Sequence, residues 1–234
     1  MIWREIKNTS KFTNQNLTSF LSFSNTPVLF YQLQYLPKMV RKLLHMKLHI
    51  IGDPGSCVTA LGQALSGLLH YPYFDCNDYF WEKSNPPFTV RRDTKLRNYI
   101  LFSNLMRYEH WILGGSMFNW GWTPRFDLVV FLWIPTEIRM ERLHEREYQR
   151  YGDVIFTNPA INKPYTDFIE WERGYDLGGV TNSNRTLAAH ENWMKTLTCP
   201  ILEIRGDTNV EKRIALIREK IAELQPRIPK IQIY

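Results

Sequence analysis

Cysteine is scarce in this 234-residue chain: Cys57, Cys76 and Cys199 show no paired spacing. An odd, scattered set excludes a disulfide framework and a zinc knuckle, and it fits a reducing compartment such as the cytoplasm. The six histidines are scattered too. Acid is nearly missing from residues 1–45, where Glu5 stands alone against Arg4, Lys7, Lys11, Lys38, Arg41 and Lys42, so this segment carries +5 of the formal +6. From Met46 onward the balance is only +1. The pI of about 9.2 thus belongs to the first fifth of the chain, and no nucleic-acid partner is expected for the remainder. A long apolar run is also absent. The most apolar stretch, Phe20 to Leu36, is broken by Ser, Asn, Gln and Pro and falls short of the ~18 residues a membrane span needs, so no membrane partner is expected.

What is present is material for a core: 44% hydrophobic and 14% aromatic residues. Residues 1–45, rich in Asn, Ser and Thr and without a small-residue cleavage site, are expected to be a poorly structured extension. Its single early arginine, Arg4, argues against a transit peptide. A translation start placed upstream of the true one is the preferred reading, because Met46 immediately precedes the first confident strand.

Five short apolar runs read as strands: Lys47 to Ile51, Tyr73 to Asp75, Trp111 to Gly114, Leu128 to Ile134, and Ile201 to Ile204. The fourth is apolar throughout, the pattern of a strand covered on both faces. Helical patterns fall between them, over about Thr59–Leu69, Thr94–Tyr108, Thr136–Arg150, Tyr165–Tyr175 and Arg185–Leu197. A last one, with Thr208 as N-cap and Glu211 three residues on, runs to about Leu224. Strands alternating with helices predict an α/β fold, a doubly wound five-stranded parallel sheet. The domain is expected to span residues 46–234, with a helical lid around 142–165.

Between the first strand and first helix stands Gly52-Asp53-Pro54-Gly55-Ser56-Cys57-Val58-Thr59. It has the frame of the phosphate-binding loop G-x-x-x-x-G-K-[ST], with Cys57 at the second glycine and Val58 at the lysine. Backbone N–H groups and the helix N-terminus can still face an anion, and Thr59 can still offer its hydroxyl to magnesium. Losing the lysine removes a charge-assisted contact of about 1.5–3 kcal/mol, roughly ten- to a hundredfold in affinity or catalysis. An ordinary Gly/Pro strand-to-helix turn is the competing reading.

The series HIIGDPGS…T, FDCNDYFW, NPPF…RR, WILGGS…WGW, FDLVVFLWIPTEIRMERLHERE…RYGD and CPILEIRGD, spanning Met46 to about Leu224, resembles small P-loop ATP-binding proteins related to adenylate kinase. These are often described as AAA-family ATPases or nucleotide kinases. The resemblance implies a P-loop NTPase fold of the nucleoside/nucleotide-kinase type, a degenerate Walker A loop in which Val58 is a family trait, and ATP with Mg2+ bound at Gly52, Pro54 to Thr59 and Asp75. It also implies transfer of the γ-phosphoryl group to a small-molecule or nucleotide acceptor. Asp75 and Asp78 lie just past the second strand, at the edge where such sheets bind ligands. The resemblance gives Asp75 to magnesium or substrate and Asp78 to the acceptor's proton, against the alternative that Asp78 caps a turn. Asp127 precedes its strand, at the opposite edge, and is rejected as a metal ligand.

Arg142, Arg146 and Arg150 recur every four residues on one helix face. The resemblance makes Arg142 and Arg146 lid residues at the transferring phosphate, whereas a solvated face paired with Glu141, Glu145 and Glu147 is the plain alternative. Arg92, after Pro86-Pro87-Phe88, and Trp120, near Gly114-Gly115-Ser116, are candidates for the acceptor pocket; a charged helix start and a core aromatic are their alternatives. Three functions compete: a kinase, a nucleotide-binding pseudo-kinase disabled at Cys57 and Val58, and nucleic-acid binding by residues 1–45 alone.

Overall fold

The computed structural model describes residues 46–85, 87–177 and 186–224. The chain divides into two units, Met1–Leu44 and His45–Tyr234, and the described residues belong to the second. The expectation for residues 1–45, and the start at Arg185 of one expected helix, fall outside the described residues.

Five strands form one sheet: β1 (Lys47–Gly52), β2 (Tyr73–Asp75), β3 (Trp111–Gly114), β4 (Leu128–Trp133) and β5 (Ile201–Arg205). Their order is β2-β3-β1-β4-β5, and every pairing is parallel. The chain therefore leaves β1 at the centre for the edge strand β2, returns to β3 beside β1, and then crosses to the other side for β4 and β5. The carboxyl ends of β1 and β3, on either side of this reversal, open onto the crevice where open α/β sheets hold ligands.

Alternation along β1 shows why the sheet is covered twice. Leu48 and Ile50 join one apolar cluster with Leu61, Leu65, Ile112, Val130 and Ile217, under α1 (Val58–Leu69) and α8 (Val210–Leu224). Ile51 points the other way, into a cluster with Leu113, Phe131, Leu101, Leu105, Trp120 and Met194, under α3 (Thr94–Leu105) and α7 (Leu187–Met194). Each fully buried Leu or Ile contributes about 1.5–3 kcal/mol relative to exposure, so the two faces account for the domain's cohesion.

Between β2 and α3 a short helix, α2 (Cys76–Phe80), is capped by Asp75, whose side chain accepts from the Asn77 N–H. After β4 come α4 (Thr136–Tyr151), α5 (Val154–Thr157) and α6 (Pro159–Arg173). Here the sequence expectation is corrected. The helix expected from about Tyr165 begins earlier: Asn158 accepts from the Ala160 N–H at 3.0 Å and Pro159 occupies the first turn, so α6 starts there. Met140 and Leu143 of α4 pack on Ile169 of α6, which makes these helices a hairpin with its own small core. The cap of α8 also moves by one residue: Asn209 Oδ1 accepts from the Lys212 N–H at 2.9 Å, while Thr208 Oγ1 instead accepts from Arg213 Nε at 3.0 Å.

His49, in mid-sheet, is fully buried, stacked on Phe126 at 4.5 Å, with Nδ1 3.0 Å from the Leu113 carbonyl. Burial pushes its imidazole from 6.5 down to about 4, against a smaller opposing effect of the Leu113 carbonyl. Between those values the unfolded chain binds a proton that the native state refuses. Stability is therefore complete above about pH 6.5 and is lost as pH falls toward 4, by about 3 kcal/mol from this group. Urea melts of wild type and His49→Asn across that range should show a steeper acid loss in the wild type. Equal slopes would contradict this.

Candidate active site

The chain leaves β1 at Gly52 and enters α1 at Val58, and the turn between them needs left-handed backbone twice. Gly55 has φ +87° and Cys57 φ +67°. At Gly55 a side chain is excluded sterically as well, since a Cβ there would lie 2.9 Å from the Arg139 carbonyl oxygen. Cys57 takes the conformation a glycine would adopt, at a cost of about 1–2 kcal/mol. Left-handed residues of this kind bring successive N–H groups into an anion-binding concavity. Val58, at the lysine position, packs against the apolar cluster under α1 and offers no charge.

Three arginines surround this loop. Arg139, fully buried in the first turns of α4, pairs through Nη1 with Asp53, itself 2% exposed. Its Nε donates to the Ile134 carbonyl at 3.2 Å, and Nη2 donates to Thr136 Oγ1 at 3.2 Å and Asp176 Oδ2 at 3.3 Å. Arg213 of α8, 1% exposed, donates to the Ser56 carbonyl at 2.7 Å. Arg142 is the outer one: Nη1 is 3.7 Å from Cys57 Sγ and Nη2 donates to Asp207 Oδ1 at 2.7 Å. The Arg142–Asp207 pair is solvent-accessible and holds by about 0–1 kcal/mol, so Arg142 can exchange Asp207 for another anion cheaply.

Across the loop, Thr59 Oγ1 donates to Asp75 Oδ2 at 2.9 Å, and the Tyr73 hydroxyl donates to the same oxygen at 3.1 Å. Burial first, and the Asp75 charge second, hold the Tyr73 phenol well above the ordinary phenol range, so it remains a donor. Asp75 Oδ1 accepts from the Asn77 backbone and side-chain nitrogens at 2.9 and 3.0 Å. Asp78, at the surface of α2, has its carboxyl raised by partial burial and then by the Asp75 charge, against Lys83 and Arg92.

The structure thus gathers the loop from Gly52 to Thr59, Asp75, Asp78 and Arg142 at one edge of the sheet. Four other sequence candidates have different surroundings. Arg92 makes a two-point contact with Glu82 at 3.0 and 3.2 Å and donates to the Asp78 and Tyr79 carbonyls, tying down α2. Trp120 is 4% exposed, with the Arg97 guanidinium 4.0 Å over its ring. Arg146 and Arg150 both pair with the buried carboxylate of Glu147. Asp127 accepts the Lys47 N–H at the amino end of the sheet, far from the loop in register. An open groove of about 1400 Å³ runs along α4 and α6, lined among others by Arg142, Arg146, Tyr165, Arg173 and Asp207. Sequence reasoning missed Arg139, although it extends the Arg142/Arg146/Arg150 stripe by one turn; nothing in the sequence marks Arg213.

No protein-family profile matches the chain. Uncharacterized protein YqaC of Bacillus subtilis (strain 168) is 40% identical over 169 residues, which is 71% of this chain and 92% of that protein. This chain belongs to the YqaC family. Among solved structures it is similar to deoxyadenosine kinase from M. mycoides with bound dATP (14% identity, 76% of this chain and 100% of that one, TM-score 0.46). It is also similar to shikimate kinase from Acinetobacter baumannii (12%, 81% and 99%, TM-score 0.45) and to a gluconokinase from Sinorhizobium meliloti 1021 (12%, 78% and 94%, TM-score 0.42). The α/β assignment of this YqaC-family chain rests on its strand order and registers. Among the described residues no helix is long and apolar enough to cross a membrane, and no three His, Cys, Asp or Glu side chains cluster as a metal site.

In this YqaC-family loop Arg139 should be the residue least tolerant of change. Arg139→Met strands the buried Asp53 charge and should cost about 3–5 kcal/mol in chemical denaturation; adding Asp53→Asn should recover part of it. A loss under 1 kcal/mol would contradict the role assigned to the pair.

Proposed function

We propose that this chain is an ATP-dependent phosphotransferase, with the helical hairpin around 142–165 as lid, that moves the γ-phosphoryl group to a hydroxyl of a small-molecule or nucleotide acceptor. The observation that carries the reading is the meeting of Thr59 and Asp75 at 2.9 Å just past the phosphate loop. Two hard oxygen donors from separate elements, both reachable by water, suit magnesium, which prefers one or two protein oxygens with waters and phosphate oxygens completing its shell. Magnesium would supply neutralisation of the phosphate charge when bound.

The chain's own groups cover the remaining tasks. Loop N–H groups from Gly55 to Thr59 hold phosphate oxygens, and Arg142 turns from Asp207 to the transferring group, with Arg146 following as the lid closes. Asp78 takes the proton of the acceptor hydroxyl as its oxygen attacks the γ-phosphorus. The bond to the bridging oxygen breaks and ADP departs. A carboxyl raised by burial is better matched to this task near neutral pH. Arg92 supports the acceptor side by holding the carbonyls of α2, and Trp120 backs it from the core. The three free cysteines fit a cytoplasmic location.

A second reading, a nucleotide-binding pseudo-kinase, is favoured by Val58, whose side chain faces apolar neighbours and replaces no charge. ATP binding with Mg2+, and ADP release with a panel of nucleosides, nucleotides and sugars, test the first reading. Thr59→Val and Asp75→Asn should each raise the magnesium concentration needed for activity, or lower turnover, about ten- to a hundredfold. Binding without turnover until Cys57→Gly and Val58→Lys are introduced together would favour the second reading. Failure to bind any nucleotide with Mg2+ would contradict both.

A further inference from the structure

The helix α3 is apolar on two opposite sides. Its inner side is occupied: Leu101 and Leu105 are buried in the core, the Arg97 guanidinium lies 4.0 Å over the Trp120 ring, and Asn98 Nδ2 donates to the Trp120 carbonyl at 2.9 Å. Leu96, Tyr99, Phe102 and Met106 recur at intervals of three, three and four residues, the spacing of one helix face, and that face is turned to solvent. They are 47%, 69%, 48% and 65% exposed. Phe102 meets Trp122 edge-on at 5.8 Å, which carries the apolar surface past the helix. Contiguous apolar patches beyond a few hundred Å² mark interaction sites.

The size of the stripe and the charges at its ends limit what it fits. At about 200 Å² for a large side chain, these exposures leave about 450 Å² of apolar surface on one copy and about 900 Å² on two. A standard-size interface buries about 1,600 Å², a little over half of it apolar, so two such stripes supply the apolar share of one. Asp93 and Lys95 stand exposed at the amino end of the stripe, Arg107 and Glu109 at the carboxyl end. Asp93 caps α3 through Oδ1 alone, at 3.0 and 2.9 Å from the Lys95 and Leu96 nitrogens. The Arg107 side chain makes no hydrogen bond or ion pair among the described residues. A face with an acid and a base at each end, in this order, is complementary to itself when turned end for end.

We propose that the outward face of α3 is a homodimer interface, on which the α3 of a second copy of this chain lies antiparallel. This is independent of the phosphotransferase reading. A two-fold axis between Tyr99 and Phe102 sets Tyr99 against Phe102 of the second copy and Leu96 against Met106, each contact occurring twice. The same axis brings Asp93 of one copy beside Arg107 of the other, and Lys95 beside Glu109, whereas a parallel pair opposes like charges. On its inner side α3 holds α2, since Asn104 Nδ2 donates to the Tyr79 hydroxyl at 3.0 Å. The interface therefore backs onto the helix that carries Asp78 in each copy.

Sedimentation equilibrium of the full chain over a concentration series, without nucleotide, tests this. The wild type should move from monomer to dimer mass as concentration rises. Tyr99→Asp should weaken association about a hundredfold, because a symmetric interface loses the residue twice. Met106→Lys should weaken it about tenfold or more. Both positions are exposed, so circular dichroism of the dilute variants should match the wild type; if Tyr99→Asp does not fold, Met106→Lys carries the test. Orientation is read from a double-mutant cycle of Asp93→Asn, which keeps the helix cap, and Arg107→Gln. Each should weaken the dimer about two- to tenfold, and the double variant no further than the larger single effect. Fully additive losses overturn the antiparallel arrangement. A wild type that stays monomeric at every concentration overturns the proposal, whatever other molecule the face binds, and so does association that Tyr99→Asp and Met106→Lys leave unchanged.

Discussion

Asp53 and Arg139 meet where β1 gives way to the loop before α1, and both are removed from water. Breaking such a pair by deleting one partner costs several kcal/mol, because the other charge remains buried. The pair fixes the backbone between Gly52 and Ser56 to the first turns of α4, and Asp176 extends the same cation to the segment just after the α4–α6 hairpin. Arg213 adds a third anchor through the Ser56 carbonyl. A loop held this firmly can keep a concave run of N–H groups even with a cysteine in left-handed backbone at position 57.

The three arginines at the loop have different surroundings. Two of the three arginines at the loop are spent on shape, and only Arg142 stands on the solvent side with a weak, exchangeable partner. Positive charge near the loop is thus divided between two buried scaffold arginines and one at the surface. Among the described residues, the three arginines at the loop come from α4 and α8.

The sheet was legible because its strands are short, mostly apolar runs that Gly, Asp or Pro terminate, as at Gly52, Asp75 and Pro135. The loop and Thr59 were legible because a strand–glycine–helix frame constrains them locally. The start of α6 was misread because Asn158-Pro159 serves equally as a turn and as a helix cap, and packing on α4 decides between them. Arg139 and Arg213 make their contacts with residues far apart in the chain. Composition and periodicity carry no sign of such pairings, and they emerge only when the sheet order brings β1, β3 and the helices after β4 to one edge.

The most direct measurement of the central claim, that the lysine-less loop is a formed phosphate site, is amide hydrogen exchange across residues 52–62 with and without Mg-ATP. The account predicts added protection from Gly55 to Thr59 and in the α4 turn that carries Arg142, with β4 unchanged. Identical exchange in both conditions at saturating nucleotide would contradict it.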